Sequence, residues 1–365
     1  MNRRYDIDWL RVIAIWLLLI YHIAIVFQPW AMFIAFIRSD ELSTTLWEPM
    51  TLLNVWRIPI LFYVSGMGLY FAMRKRNWTQ LIGERSQRIL VPFLFGIIAI
   101  TPLHLFVFQN YYNMALDYYP HMGHLWFLGN IFVYVLMFLP LFLWLKKKEH
   151  NKFKSVVDKL MRYPFTPFIV NILFVLEAVI LEPKPFSMYA ETWHGFVLGL
   201  LAFFFGFFFM YIGKSFWQNV LKWRWLYFGV AAIMFTIRYI VYATEAPGYL
   251  MVIESNAWIF AILGFCYKHL NKPSKALNYL SKAAYPVYII HMIVLYLASD
   301  WILPFKLPVY VAFPLIVVIT FVGCYAIYEF VLRRVPLLRP FFGLKWPPVP
   351  FKKLKSKRIT VKSTK

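Results

Sequence analysis

Residues 8–28 read DWLRVIAIWLLLIYHIAIVFQ, Asp8 to Gln28, and the reading of this stretch decides the fold. Taken as one helix from Trp9 to Phe27, it carries an acid and an arginine at its mouth and one histidine well inside. Arg11 and His22 lie eleven residues apart. At about 100° per residue that is three turns plus roughly 20°, so both project from one face, about 16 Å apart along the axis. A helix that enters a bilayer seldom carries an imidazole more than halfway across without a reason. A hydrogen bond to a neighbouring helix is one such reason, and chemistry is the other.

The rest of the chain has the same character. Of 365 residues, 61% are hydrophobic and 21% aromatic, only 15% are charged, and the mean hydropathy is +0.62. The apolar residues come in runs of about 20, the length that spans a bilayer core. This is an all-α polytopic membrane protein. A net charge of +22 would otherwise point to a nucleic-acid binder, so the placement of the charge matters. Cys266 and Cys324 both sit in apolar runs, form no metal-binding spacing and give no disulfide framework, and read as packing residues. The N-terminus starts basic and turns apolar, as a signal peptide does. It lacks a small-residue cleavage site and holds Trp16, Tyr21 and His22, so it is expected to stay as the first membrane helix.

Ten spans follow from the apolar runs: 9–29, 51–73, 89–109, 124–145, 166–182, 194–213, 224–243, 250–268, 284–303 and 309–332. The fifth is the weakest, being short and holding Asn171 and Glu177. Pro92, Pro102 and Pro286 open or interrupt the third and ninth, which membrane helices tolerate where neighbours re-satisfy the freed carbonyls. Loops alternate in charge. The N-terminus, the even-numbered loops and the tail hold 33 of the 38 Lys and Arg, whereas the odd-numbered loops hold only Arg38, Lys184 and Lys306. By the positive-inside rule both termini are cytoplasmic. The high net charge is then mostly topology, with some attraction to anionic lipid. Residues 1–335 form one transmembrane domain, and residues 336–365 a basic cytoplasmic tail expected to be disordered.

Polar residues inside the spans mark where chemistry can occur. Arg11 and His22 share a face of span one. Span two holds Arg57 and then Phe62-Tyr63-Val64-Ser65-Gly66. Arg85 and Arg88, three apart on one side of a helix, are either topological charge or a guanidinium pair suited to phosphate. Span nine carries Tyr285-Pro286-Val287-Tyr288 and His291. The odd loops are rich in Tyr, Trp and His, notably around His121, His124 and Trp126 and around Tyr189 to His194. An aromatic belt at the interface accounts for many of these, and a carbohydrate-binding face for the remainder.

Together the motifs carry a resemblance. The chain resembles the acyltransferase-3 superfamily of membrane-bound O-acyltransferases that modify bacterial glycans. The residues concerned are Asp8-Trp9-Leu10-Arg11, Arg11 with ten residues to His22, Leu61-Phe62-Tyr63-Val64-Ser65-Gly66, Arg85-x-x-Arg88, His124-Leu125-Trp126-Phe127-Leu128, and Ala284-Tyr285-Pro286-Val287-Tyr288 leading to His291. Tyr328-Glu329 and Arg334-Val335-Pro336-Leu337-Leu338 look most like the branch that succinylates osmoregulated periplasmic glucans. Some members carry a C-terminal hydrolase-like domain outside the membrane, whereas span ten of this chain is followed by the basic cytoplasmic tail.

The resemblance implies a multi-pass protein of the bacterial plasma (inner) membrane that moves an acetyl or succinyl group. The donor would be cytoplasmic acyl-coenzyme A, and the acceptor a hydroxyl of an extracytoplasmic saccharide. On that reading Arg11, Arg85 and Arg88 hold the donor's phosphates, and no metal is called for. His22 acts as base or acyl carrier, because a neutral imidazole titrates near working pH. Asp8 orients Arg11. Ser65 either donates to the reacting carbonyl or makes, with Gly66, a small pair for close helix packing. Arg57, Trp126, Glu177 and His291 are candidates for the acceptor site. The rival reading is a transporter or flippase of a lipid-linked saccharide, against which the sequence shows no paired broken helices of an inverted repeat.

Overall fold

The structure, a computed structural model, describes residues 3–147 and 152–345. Among them there are helices and no strands: α1 (Tyr5–Ile25), α2 (Glu48–Asn54), α3 (Arg57–Met73), α4 (Trp78–Tyr111), α5 (Gly123–Lys147), α6 (Lys152–Leu160), α7 (Thr166–Leu181), α8 (Trp193–Ile212), α9 (Lys214–Val241), α10 (Gly248–His269), α11 (Lys275–Phe305) and α12 (Val309–Leu332). With α2 and α3 counted as one span, nine of the described helices are long and apolar enough to cross a membrane.

The expected fifth span is α7, and it is shorter than the rest. A five-residue 3₁₀ helix, Thr166–Val170, precedes eleven α-helical residues. At about 2.0 and 1.5 Å per residue the whole reaches roughly 26 Å, a little less than a hydrocarbon core. It runs the length of the bundle all the same. Before it, the Met161 carbonyl accepts from Asn219 near the start of α9 at 2.7 Å. After it, the Phe186 N–H donates to Glu245, just past the end of α9, also at 2.7 Å. So α7 runs from one end of the bundle to the other, packed on α10 and α8.

Both described chain ends lie at one end, here termed the basic end. Arg3 Nη1 donates to Asn278 at 2.9 Å and the Tyr5 N–H to Asn271 at 3.1 Å. Lys146 Nζ donates to the Met73 carbonyl at 2.7 Å, and Gly343 packs on the Arg88 carbonyl. The opposite end gathers the other loops, with the Arg38 N–H on Tyr112 Oη and the Val309 N–H on Glu41, each at 3.0 Å.

Two departures from the expected boundaries have local causes. Helix α4 begins at Trp78, well before residue 89, because Asn77 and Gln80 form a capping box ahead of the apolar run. Within α4, π-helical turns at Ser86–Leu90 and Gly96–Ile100 precede Pro92 and Pro102. A proline clashes with the carbonyl four residues back, and the wider turn makes room for it. The second departure concerns the tail. Residues 336–342 are a 3₁₀ helix rather than loose chain, with Phe341 and Phe342 packed on Phe95 at ring distances of 4.6 and 5.7 Å. Residues 346–365, where the tail was also expected to be disordered, lie outside the described residues.

The tightest crossing in the core is α3 on α8. A Cβ on Gly66 would strike the Phe203 carbonyl, and one on Gly206 the Tyr63 carbonyl, so the two backbones touch where glycine alone fits. Tyr63 Oη, fully buried beside this crossing, donates to Asn256 at 2.9 Å.

Candidate functional site

A cavity of about 1650 Å³ opens at the basic end between α1, α3, α4, α5, α11, α12 and the 3₁₀ segment after residue 335. That exceeds the roughly 300–1,000 Å³ of ordinary small-ligand pockets. Thirteen of its lining residues are Arg or Lys, against two acids, Asp8 and Glu84. Arg11, Arg85 and Arg88 all line it, so the structure brings the three predicted donor-binding residues together. Arg88 pairs with Glu84 at 3.3 Å, and Arg11 lies 3.7 Å from Asp8. Asp8 is held more closely by Arg3, at 2.8 Å, so it serves both arginines. Arg85 Nε has no hydrogen-bond partner among the described residues. Arg85 ends a regular helical turn and Arg88 sits in the π turn that follows, an irregularity often found at functional sites.

Deeper in, the lining turns apolar and aromatic with Phe127, Tyr285, Pro286 and Tyr288. Tyr288 forms the inner wall: its hydroxyl donates to the His124 carbonyl, while His124 Nε2 donates to the Ile289 carbonyl at 3.0 Å. Behind this wall lie His22 and His291. The two rings are nearly parallel (7°), with His22 Nδ1 2.9 Å from His291 Nε2. His291 is fully buried, and its Nδ1 lies 2.6 Å from the Tyr288 carbonyl. A carbonyl only accepts, so that nitrogen carries the proton. In the neutral pair His291 Nε2 is then the acceptor and His22 Nδ1 the donor. The lone pair of His22 falls on Nε2, which no protein group occupies among the described residues.

The other predicted residues are placed differently. Ser65 lines the cavity, but its hydroxyl donates to the Leu61 carbonyl at 2.8 Å. Trp126 is 7% exposed, packs on Phe62 and stays out of the cavity lining, where its neighbour Phe127 stands instead. Glu177 lies away from the cavity: its Oε1 meets His194 Nδ1 at 2.6 Å, and His194 Nε2 donates to the Phe186 carbonyl at 3.0 Å. That arrangement ties α7 to α8. Arg57 is buried with its guanidinium 3.5 Å above the ring centroid of Tyr21, the residue that precedes His22.

Two features were not singled out from the sequence, His104 and the pair Arg238–Glu254. His104 is buried, its ring 6.0 Å from that of His124 and 5.6 Å from that of His121. His121 lies in the loop outside the spans, and burial there lowers its pKa, with Glu191 opposing. Arg238 and Glu254 form a buried two-point pair at 2.7 and 2.9 Å. Among the described residues no group of three or more His, Cys, Asp or Glu is arranged to hold a metal ion.

The arrangement joins two chemistries. A wide cationic cavity suits a large polyanion, and an imidazole with a free Nε2, held by a second imidazole, suits removal of a proton from a weak nucleophile. Comparison with protein families gives one match, to a family described as an acyltransferase domain, over residues 4–329. Comparison with curated proteins and with solved structures gave no match.

Proposed function

The chain belongs to the acyltransferase-3 superfamily and is a membrane acyltransferase, and from that premise we propose that it moves an acyl group from acyl-coenzyme A to a saccharide hydroxyl. The donor enters from the basic end, which the positive-inside rule places in the cytoplasm of a bacterial inner-membrane protein. Coenzyme A carries several phosphates, and Arg85 and Arg88, with Arg11 deeper in the cavity, hold them by charge-assisted bonds. Its thin pantetheine arm brings the thioester towards Tyr288. The acceptor, a glycan, comes from the opposite end.

At the meeting point His22 Nε2 takes the proton of the acceptor hydroxyl as its oxygen attacks the thioester carbonyl. The carbon–sulfur bond breaks, the ester forms, and the proton goes to the departing thiolate. His291 holds His22 Nδ1–H, which fixes the tautomer and shares the positive charge while the proton is on His22.

The observation that carries this reading is the basic cavity ending at the wall that backs onto His22 and His291. The test is incubation of purified protein in liposomes with labelled acetyl- or succinyl-coenzyme A and a glucan. Transfer of label to the glucan is expected. An intact thioester, or glucan moved across the membrane without label, would establish the transporter reading instead.

A further inference from the structure

Val55 and Trp56 break the second span into α2 and α3, and α3 starts at Arg57 without a side-chain cap. A helix start inside a bundle presents N–H groups and the positive end of the helix dipole. Polar atoms without a hydrogen-bond partner among the described residues gather at this break: Asn54 Oδ1, Trp56 Nε1, and Nε and Nη1 of Arg57. Arg57 is 4% exposed and forms no ion pair among the described residues. The Tyr21 ring lies against its guanidinium, with Tyr189 an electrostatic neighbour, and a cation–π contact leaves the guanidinium's in-plane donors unused.

The other arginine buried at this depth shows what a structural role looks like here. Arg238 gives Nε and Nη2 to Glu254, Nη1 to the Thr244 carbonyl and Nη2 also to the Thr51 carbonyl, so every nitrogen is occupied. A buried charge left unpaired is costly, and within membranes such residues commonly mark substrate sites. Arg57 is also well placed. Its partner ring, Tyr21, stands edge-on to His22 at 6.2 Å, and Arg57 is an electrostatic neighbour of that imidazole. Along α3 it lies about 12 Å beyond the cavity residue Ser65.

We propose that Arg57, with the uncapped start of α3, is a subsite for an oxyanion, a carboxylate or phosphate, carried by one of the two substrates that meet at His22. This rests on the acyl-transfer reading above. Two carriers share the chemistry: an acyl chain ending in a carboxylate, whose far end extends past the histidines, or a saccharide bearing an acidic group.

The test pairs neutral with charged probes on the full chain in liposomes. The donor arm compares acetyl- with succinyl-coenzyme A on a neutral glucan. The acceptor arm compares a neutral oligosaccharide with one bearing phosphate or glucuronate, using acetyl-coenzyme A. In the wild type one arm should favour the charged member in kcat/KM by about ten- to a hundredfold, the scale of a charge-assisted bond. Arg57→Gln should remove that preference and Arg57→Lys retain part of it, and the arm that responds identifies the carrier. No preference in either arm, or an equal loss on charged and neutral probes in Arg57→Gln, overturns the subsite. If no pair reacts at all, the acyl-transfer reading fails, and the subsite is judged by binding alone. Succinate or inorganic phosphate should then raise the melting temperature of the wild type and not of Arg57→Gln, and equal shifts would overturn it.

Discussion

His22 Nδ1 lies 2.9 Å from His291 Nε2, and the two rings are nearly coplanar in orientation, although they come from the first and the eleventh helix. The Tyr288 carbonyl fixes the direction of this bond from behind. On the proposed reaction this geometry makes His22 the reacting group and His291 its holder.

That asymmetry predicts unequal losses on substitution. His22→Gln keeps a hydrogen-bonding side chain but cannot take a proton, and should abolish transfer while leaving donor affinity unchanged. His291→Gln still offers an oxygen to His22 Nδ1–H, and should lower kcat by about ten- to a hundredfold, less than the full contribution of general base catalysis. Steady-state rates on membranes, with donor binding measured separately, check both. A His22→Gln protein with near-normal turnover would make the pair structural.

The basic cavity predicts a salt-dependent donor site. Arg85→Ala and Arg88→Ala should each weaken acyl-coenzyme A binding by about ten- to a hundredfold, from roughly 1.5–3 kcal/mol per charge-assisted contact. The deficit should shrink as ionic strength rises, since the cavity mouth is wet. Unchanged affinity in the double variant would reduce the pair to topological charge.

The α3–α8 crossing predicts a contrast between two neighbouring glycines. A Cβ on Gly66 meets the Phe203 backbone, which cannot retreat, whereas one on Gly68 meets only the end of the Arg11 side chain at 3.5 Å. Gly66→Ala should cost about 1–3 kcal/mol through overpacking, with Gly68→Ala close to neutral. Melting temperatures in detergent give the comparison, and equal values would remove the steric argument.

Orientation is open to direct measurement. Reporter fusions after Lys275 should report cytoplasm, and fusions after Asp117 and Glu245 the outside. An outside signal at Lys275 would invert the assignment of donor and acceptor ends.

The spans and their alternation were legible in the sequence because apolar length and loop charge are local properties. Arg11 and His22 were legible as a pair because one helix relates them by rotation alone. Glu177 was read as a substrate group, whereas the structure gives it His194, seventeen residues away across a loop. No periodicity crosses a loop, so nothing local announces such a partner. The same holds for Arg238 and Glu254, sixteen residues apart on successive helices. The early start of α4 did leave a signal, since Asn77 and Gln80 have the spacing of a capping box ahead of an apolar run.

Tyr288 has a consequence beyond the reaction. A passage wide enough for a nucleotide, if it ran through the whole bundle, would short-circuit the membrane to protons and ions. The cavity from the basic end stops at this ring, which is anchored by its hydroxyl to the first turns of α5 and backed by buried His291. On the proposed reaction this wall, which only the thin arm of the donor has to pass, doubles as electrical insulation. If the two substrates come from two compartments, as proposed, the enzyme keeps the membrane potential intact by making its own floor the seal.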